Sequence, residues 1–267
     1  MTETLLEIEK LTRKFGEFTA VNELTLSVLS GEIFGLLGSN GAGKTTTIKL
    51  LTTLLPPTGG SARIAGYDVV REATDVRRSI GYVPQAISAD GSLTGYENLV
   101  VSAKLYDVPR RERVARVEEA LAFVNLEEAA GRLVRTYSGG MIRRLEIAQA
   151  TIHRPKLVFL DEPTVGLDPI AREAVWEHLL RLRAEYGTTL FLTTHYMEEA
   201  EQHCDRIAIM HRGKITALNT CAQLKETIGG ANRSLHDVFV HFAGEPIESN
   251  GAFRETSSRR ATARRLG

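Results

Sequence analysis

Ile33-Phe34-Gly35-Leu36-Leu37-Gly38-Ser39-Asn40-Gly41-Ala42-Gly43-Lys44-Thr45-Thr46 runs from apolar residues into a glycine-rich turn. Ile48-Lys49-Leu50-Leu51 follows, and Leu54 and Leu55 continue its apolar face at helical spacing. A buried strand, a turn and a helix in that order are the context in which a G-x-x-x-x-G-K-[ST] match binds phosphate. Glycines at 38, 41 and 43 let backbone N–H groups converge on phosphate oxygens with no Cβ in the way. The helix opening at Lys44 adds its unpaired N–H groups and the positive end of its dipole. Lys44 supplies charge to the β- and γ-phosphates, and the Thr45 hydroxyl suits Mg²⁺. Taken alone, the stretch establishes only that a nucleoside triphosphate binds.

Outward from this turn the chain reads as an α/β protein. Leu5–Leu11 alternates apolar and charged residues, and Leu24–Leu29 forms a second strand of the same kind, turned by Ser30-Gly31 into the buried strand. Phe15 lies between these two strands, beside Gly16. Pro56-Pro57-Thr58-Gly59-Gly60 marks a turn, followed by short strands at Ser61–Ala65 and Ile80–Val83, the latter ending at Pro84-Gln85. Thr94-Gly95-Tyr96-Glu97 matches a capping box and opens a helix to about Tyr106. Pro109 is expected to start another helix, with Val114, Val117, Leu121 and Val124 as its apolar stripe. Residues 86–134 therefore read as a helical insertion in an α/β core, within a helical subdomain reaching about residue 155.

The segment from Tyr137 to His195 carries the remaining chemistry. Ser138-Gly139-Gly140 precedes a helix that stops at Pro155. Leu157–Leu160 is an apolar strand ending on Asp161-Glu162, where ligands sit in an open α/β sheet. Asp161 fits a Mg²⁺ partner, and Glu162 fits a general base acting on the attacking water. Asp168-Pro169 reads as an N-cap with proline at the first helical position. Thr188–Thr194 is the next strand, with His195 at its end.

These motifs, in this order, resemble the nucleotide-binding subunit of ABC transporters over about residues 5–225. The implied fold is a P-loop NTPase core with an antiparallel β subdomain and a helical insertion. The resemblance implies that Phe15 stacks on adenine and that Gly38–Thr46, with Ser39, Asn40, Ala42 and Thr46, is the Walker A cradle. Gln85 corresponds to the glutamine that reaches Mg²⁺ with Thr45 and Asp161. Tyr137-Ser138-Gly139-Gly140-Met141 is similar to the family signature, Leu157–Glu162 to Walker B with its catalytic glutamate, and Val165-Gly166-Leu167-Asp168 to the loop that crosses the dimer interface. His195 matches the switch histidine. Phe for Tyr at 15 keeps the stacking face. Tyr137 and Met141 depart from the usual Leu and Gln, and Val165-Gly166 from the usual Ser-Ala. The implied mechanism is a homodimer or heterodimer of ATPase subunits closing head to tail on two ATP. Each phosphate loop then faces Ser138-Gly139-Gly140 of the other subunit. YSGGM, THYMEEAE at 194–201, and Ser234–Phe239 resemble the drug-resistance and polysaccharide-export branch, whose ATPase works with a separate membrane permease. Export of a drug-like, lipid or polysaccharide cargo is the implied function. The competing reading is a soluble ATPase of the same family in DNA repair or translation. The motifs occur once, and the spacing from Lys44 to Ser138 leaves no room for a long coiled coil.

Composition fits this reading. The 267 residues include 33 basic and 33 acidic side chains, a balance that argues against a dedicated nucleic-acid binder. No apolar run approaches the roughly 18 residues of a membrane span. Glu3, Glu7 and Glu9 stand where a signal peptide carries Lys or Arg, so the expected place is the cytoplasmic face of the membrane, reached through the permease. Cys204 and Cys221 lack metal spacing and are expected to be reduced thiols. Residues 206–218 read as a hairpin, and Thr220–Gln223 as another capping box. The expected divisions are an ATPase domain over 1–228, a short extension over 229–248 and a basic tail over 249–267. That tail holds five Arg and one Glu and is expected to be disordered.

Overall fold

The computed structural model describes residues 3–230 and 232–244. The basic tail anticipated at 249–267 lies outside the described residues. Among the described residues, ten strands form two sheets. Strands β1 (Thr4–Phe15), β2 (Phe18–Leu29), β4 (Gly59–Ile64) and β5 (Tyr67–Asp68) make an antiparallel sheet in the order β2-β1-β4-β5. Strands β3 (Ile33–Leu37), β6 (Ile80–Val83), β7 (Leu157–Asp161), β8 (Thr189–Thr194), β9 (Arg206–His211) and β10 (Lys214–Asn219) form the second. Its order is β10-β9-β3-β8-β7-β6, parallel except for the β9–β10 hairpin at one edge.

The nine helices among the described residues are α1 (Lys44–Leu51), α2 (Ala73–Ser79), α3 (Gly95–Leu105), α4 (Arg113–Phe123), α5 (Gly139–Thr151), α6 (Pro169–Tyr186), α7 (Met197–His203), α8 (Cys221–Thr227) and α9 (Leu235–Ala243). Strand β7 shows how the layers are built. Every residue is buried, and alternate side chains serve opposite faces. Leu157 and Phe159 pack with Phe34, Ile48 and the antiparallel sheet, while Val158 and Leu160 pack with helices α3 to α6. A third cluster joins Leu37, Ile207 and Ile209 to Leu224, Leu235, Val238 and Phe239. Helix α9 thus adds apolar residues to the core from within the segment assigned to the short extension.

Several local expectations change. The first two strands are longer than their alternation indicated, so Phe15 is not between strands but at the tip of a hairpin, paired with Phe18. Lys10 and Glu23, with φ of 47° and 49°, accompany register shifts that break the period-2 pattern there. Helix α1 ends at Leu51 and leaves Leu54 exposed. Pro109 begins a turn, closed by the Glu112 N–H on its carbonyl at 2.8 Å, and α4 starts only at Arg113. Val114, in the first turn of α4, is exposed, whereas Val117, Leu121 and Val124 are buried. The Thr94–Glu97 capping box is complete, with both reciprocal bonds. At Thr220 only half the box forms: its hydroxyl accepts from the Gln223 N–H, but its own N–H goes to the Asn219 side chain.

Candidate functional site

The carboxyl ends of β3, β7 and β8 lie side by side, and the loops leaving them build one cluster. The turn after β3 is fixed by what surrounds its glycines. Gly43 has φ 108°, and a Cβ there would sit 2.4 Å from the Ala20 carbonyl oxygen. A Cβ on Gly38 would meet the Met210 carbonyl at 2.7 Å. The cradle is closed from behind by β2 and β9, which leaves backbone as the surface offered to a ligand.

Lys44 is 5% exposed. Its ammonium donates to the carbonyls of Gly38 at 2.8 Å and Ser39 at 3.3 Å, and lies 3.4 Å from Glu162 Oε1. The Thr45 hydroxyl reaches Asp161 Oδ1 at 3.3 Å. Asp161 and Thr193 are partners in the β7–β8 register, and the Thr193 hydroxyl donates to Asp161 Oδ1 at 2.6 Å. Asp161 Oδ2 is buried with no hydrogen-bond partner. An orphaned carboxylate oxygen beside a threonine hydroxyl is a hard-oxygen donor set that fits Mg²⁺.

Glu162 adopts φ 49°, a left-handed conformation costing about 1–3 kcal/mol for a residue with a Cβ. Its N–H is held by the Thr193 carbonyl at 3.1 Å and the Thr193 hydroxyl at 3.0 Å. The carboxylate accepts from the Gln85 amide at 3.1 Å, and His195 Nδ1 lies 3.4 Å from its other oxygen. Burial pushes the carboxyl up, but His195 and the Lys44 ammonium together hold it below the usual carboxylate value. Glu162 is therefore ionised at neutral pH. Gln85 sits against Glu162 rather than against Thr45 and Asp161.

The remaining predicted residues form separate groups. Ser138 caps α5, its hydroxyl accepting the Met141 N–H at 3.3 Å, and Asp168 caps α6, accepting the Ala171 N–H at 2.9 Å. The two helix starts pack together, since a Cβ on Gly140 would meet Ala171 Cβ at 2.8 Å and one on Gly139 would meet Leu167 at 3.5 Å. Among the described residues no hydrogen bond or ion pair joins Ser138, Gly139 or Gly140 to the phosphate-loop turn. Phe15 is 44% exposed at the hairpin tip, and the Arg13 guanidinium lies 4.6 Å from its ring centroid. Sequence reasoning passed over Thr193, which ties Asp161 to Glu162, because cross-strand register is invisible in a lone sequence. It also passed over Arg13, although its spacing of two from Phe15 on one strand puts both on the same face.

A profile of the ABC transporter family matches residues 21–165. The chain belongs to that family. It is 44% identical over 234 residues to the daunorubicin/doxorubicin resistance ATP-binding protein DrrA of Streptomyces peucetius, covering 87% of this chain and 71% of that one. It is 42% identical over 247 residues to the Nod factor export ATP-binding protein I of Paraburkholderia xenovorans (strain LB400), covering 92% and 79%. A solved ATP-binding subunit of an ABC transporter superposes with a TM-score of 0.81 at 32% identity, over 90% of this chain and 99% of that one. Within the ABC transporter family the chain is an ATP-binding subunit of the drug-resistance and export branch. Family ATP-binding subunits are ATPases. The competing repair or translation reading has no support in these likenesses. Between Gln85 and Ser138 the chain forms only α3, α4 and a short turn, with no coiled coil.

Proposed function

We propose that the chain is a Mg²⁺-dependent ATP hydrolase that dimerises around two ATP and drives a separate membrane permease in export. The observation carrying this reading is the convergence of Lys44, Thr45, Gln85, Asp161, Glu162 and His195, while Ser138, Gly139 and Gly140 stand apart in the same chain. Two half-sites that do not meet within one subunit suit a head-to-tail pair, in which each completes the other. A homodimer has two competent sites; a related ATPase subunit as partner fits the same geometry.

Gly38 to Thr46 hold the phosphates, with Lys44 leaving Glu162 to meet the β- and γ-oxygens. Thr45 and Asp161 would hold Mg²⁺, with Gln85 reaching it from the loop after β6, and the bound ion would supply positive charge to the phosphates. Glu162 accepts the proton of the attacking water, and His195, at the end of β8, contacts the γ-phosphate as charge develops. Ser138 and the N-terminus of α5 bind the γ-phosphate of the facing subunit, and Asp168 holds the loop that crosses between them. Phe15 offers adenine one face of a ring whose other face is backed by Arg13.

A groove of about 380 Å³ between the core and the helical insertion supports the permease partner. Leu54, Tyr82, Leu105 and Tyr106 line it with Arg77 and Arg78, and Leu54 and Leu105 are 57% and 76% exposed. An amphipathic cytoplasmic helix of the permease suits such a surface. Among the described residues no helix is long and apolar enough to cross a membrane. Attachment through the permease accounts for a place at the cytoplasmic face. The cargo, drug-like, lipid or polysaccharide, is selected by the permease. The test is to fractionate cells carrying the chain with and without that permease and to assay phosphate release against Mg²⁺. Permease-dependent membrane association and Mg²⁺-dependent turnover are expected; tight membrane association without a permease, or no turnover, would refute the reading.

A further inference from the structure

The helix that begins at Ser138 also grips the loop that carries Gln85. Arg143 and Glu146 lie in the N-terminal part of α5, with side chains only 7% and 1% exposed. Arg143 Nη1 pairs with Glu146 Oε2 at 3.0 Å. From there both reach across to the chain leaving β6. Arg143 donates to the Pro84 carbonyl at 2.7 Å and, through its other nitrogen, to the Gln85 carbonyl at 3.1 Å. Glu146 Oε1 accepts from the Ser88 N–H at 2.5 Å, the Ser88 hydroxyl at 2.9 Å and, at 3.4 Å, the Ala89 N–H.

A buried ion pair offers no more stability than a well-packed apolar pair of equal volume. What it adds is direction. The planar guanidinium fits two successive carbonyls, and the carboxylate gathers N–H groups three and four residues further on. Together they dictate the path of the backbone from Pro84 to Ala89. Helix α5 cannot move relative to that loop without breaking charge-assisted bonds made by two buried side chains.

We propose that Arg143 and Glu146 are positioning residues that fix the Gln85 loop to the Ser138 helix, coupling the ATP site of each subunit to the site it completes on its partner. This rests on the shared-site reading above. Within one subunit, Gln85 serves the nucleotide on that subunit's own phosphate loop, and Ser138 serves the nucleotide of the other. Arg143 is five residues beyond Ser138, about 8 Å along a continuous helix. A displacement of Gln85 as one ATP is engaged or cleaved is therefore passed through the ion pair to Ser138 at the second ATP, by a contiguous path of bonds.

The experiment measures ATP hydrolysis by the full chain as a function of ATP concentration. Wild type is expected to show a Hill coefficient approaching two, the number of sites. In Glu146→Ala and Arg143→Met the coefficient falls to about one, and kcat falls by about tenfold or more through misplacement of Gln85. ATP affinity of the monomer without Mg²⁺ stays within about twofold, because the phosphate loop is untouched. Glu146→Gln keeps an acceptor for Ser88 and restores most of both losses. If a single variant fails to fold, Arg143→Met/Glu146→Leu removes both charges at similar volume and carries the same expectation. Cooperativity retained in a folded variant lacking the pair overturns the proposal. So does a lower kcat with unchanged cooperativity, which would mark a structural role only. The two readings fail separately. A Glu162→Gln protein that stays monomeric at saturating ATP ends the shared-site reading, whereas an ATP-dependent dimer with a wild-type Hill coefficient of about one ends only the coupling.

Discussion

Glu162→Gln keeps the size of the side chain and removes its charge, and it should move hydrolysis and binding in opposite directions. Loss of the carboxylate removes the base, so turnover should fall at least about 10²-fold. Binding is governed by the Lys44 ammonium, 3.4 Å from Glu162 Oε1 before ATP arrives. At that separation and an effective dielectric of about 20, the attraction is roughly 5 kcal/mol before desolvation. Burial of both groups offsets most of it, leaving a net of about 1–2 kcal/mol. ATP must displace this pair and accept a carboxylate near its γ-phosphate. Gln imposes neither condition, so the Kd for ATP should fall by about tenfold. Isothermal titration without Mg²⁺ measures that change, and a phosphate-release assay with Mg²⁺ measures turnover. Uncleaved ATP held between two subunits should also trap the dimer, seen by gel filtration with Mg-ATP. Adding Ser138→Arg should return the protein to monomer while each subunit still binds ATP, because a bulky cation then fills the facing γ-phosphate site. Retained hydrolysis would refute Glu162 as base, and unchanged or weaker ATP affinity would refute the competition for Lys44.

Three further outcomes follow from the same geometry. With His195 and Lys44 holding the free Glu162 carboxyl below its ordinary value, the acid limb of kcat/KM should lie below the usual carboxylate range. The limb of kcat should lie higher, since bound ATP takes Lys44 away; coincident limbs in a pH–rate series would contradict this. Gly43→Ala places a Cβ 2.4 Å from the Ala20 carbonyl at φ 108°, so ATP binding should be lost and stability reduced by about 1–3 kcal/mol in urea unfolding. Phe239→Ala empties a fully buried position in α9 and should cost about 3–5 kcal/mol. A change near zero would mean α9 is dispensable to the core.

Much of this protein is local in character, and the sequence by itself determined that part. The phosphate-loop turn is specified by its own glycines and by the apolar strand before it, whose five residues are all buried. Asp161 stands where a fully apolar run stops, His195 directly follows a buried strand, and the Thr94 cap forms from groups three residues apart. Such features depend on residues close in the chain, and periodicity reports them directly. Tertiary structure alone decided the rest. Thr193 meets Asp161 through strand register, which no single strand encodes. Val114 faces water although it shares the helical stripe of the buried Val117 and Leu121, because only the fold decides how far along a helix the core extends. Arg143 and Glu146 look like surface charges in a helical pattern, yet they are buried by a loop more than fifty residues earlier. Apart from each other and the Ser88 hydroxyl, their partners are backbone groups, which are the same in every residue type, so the side-chain pattern does not announce which loop they hold.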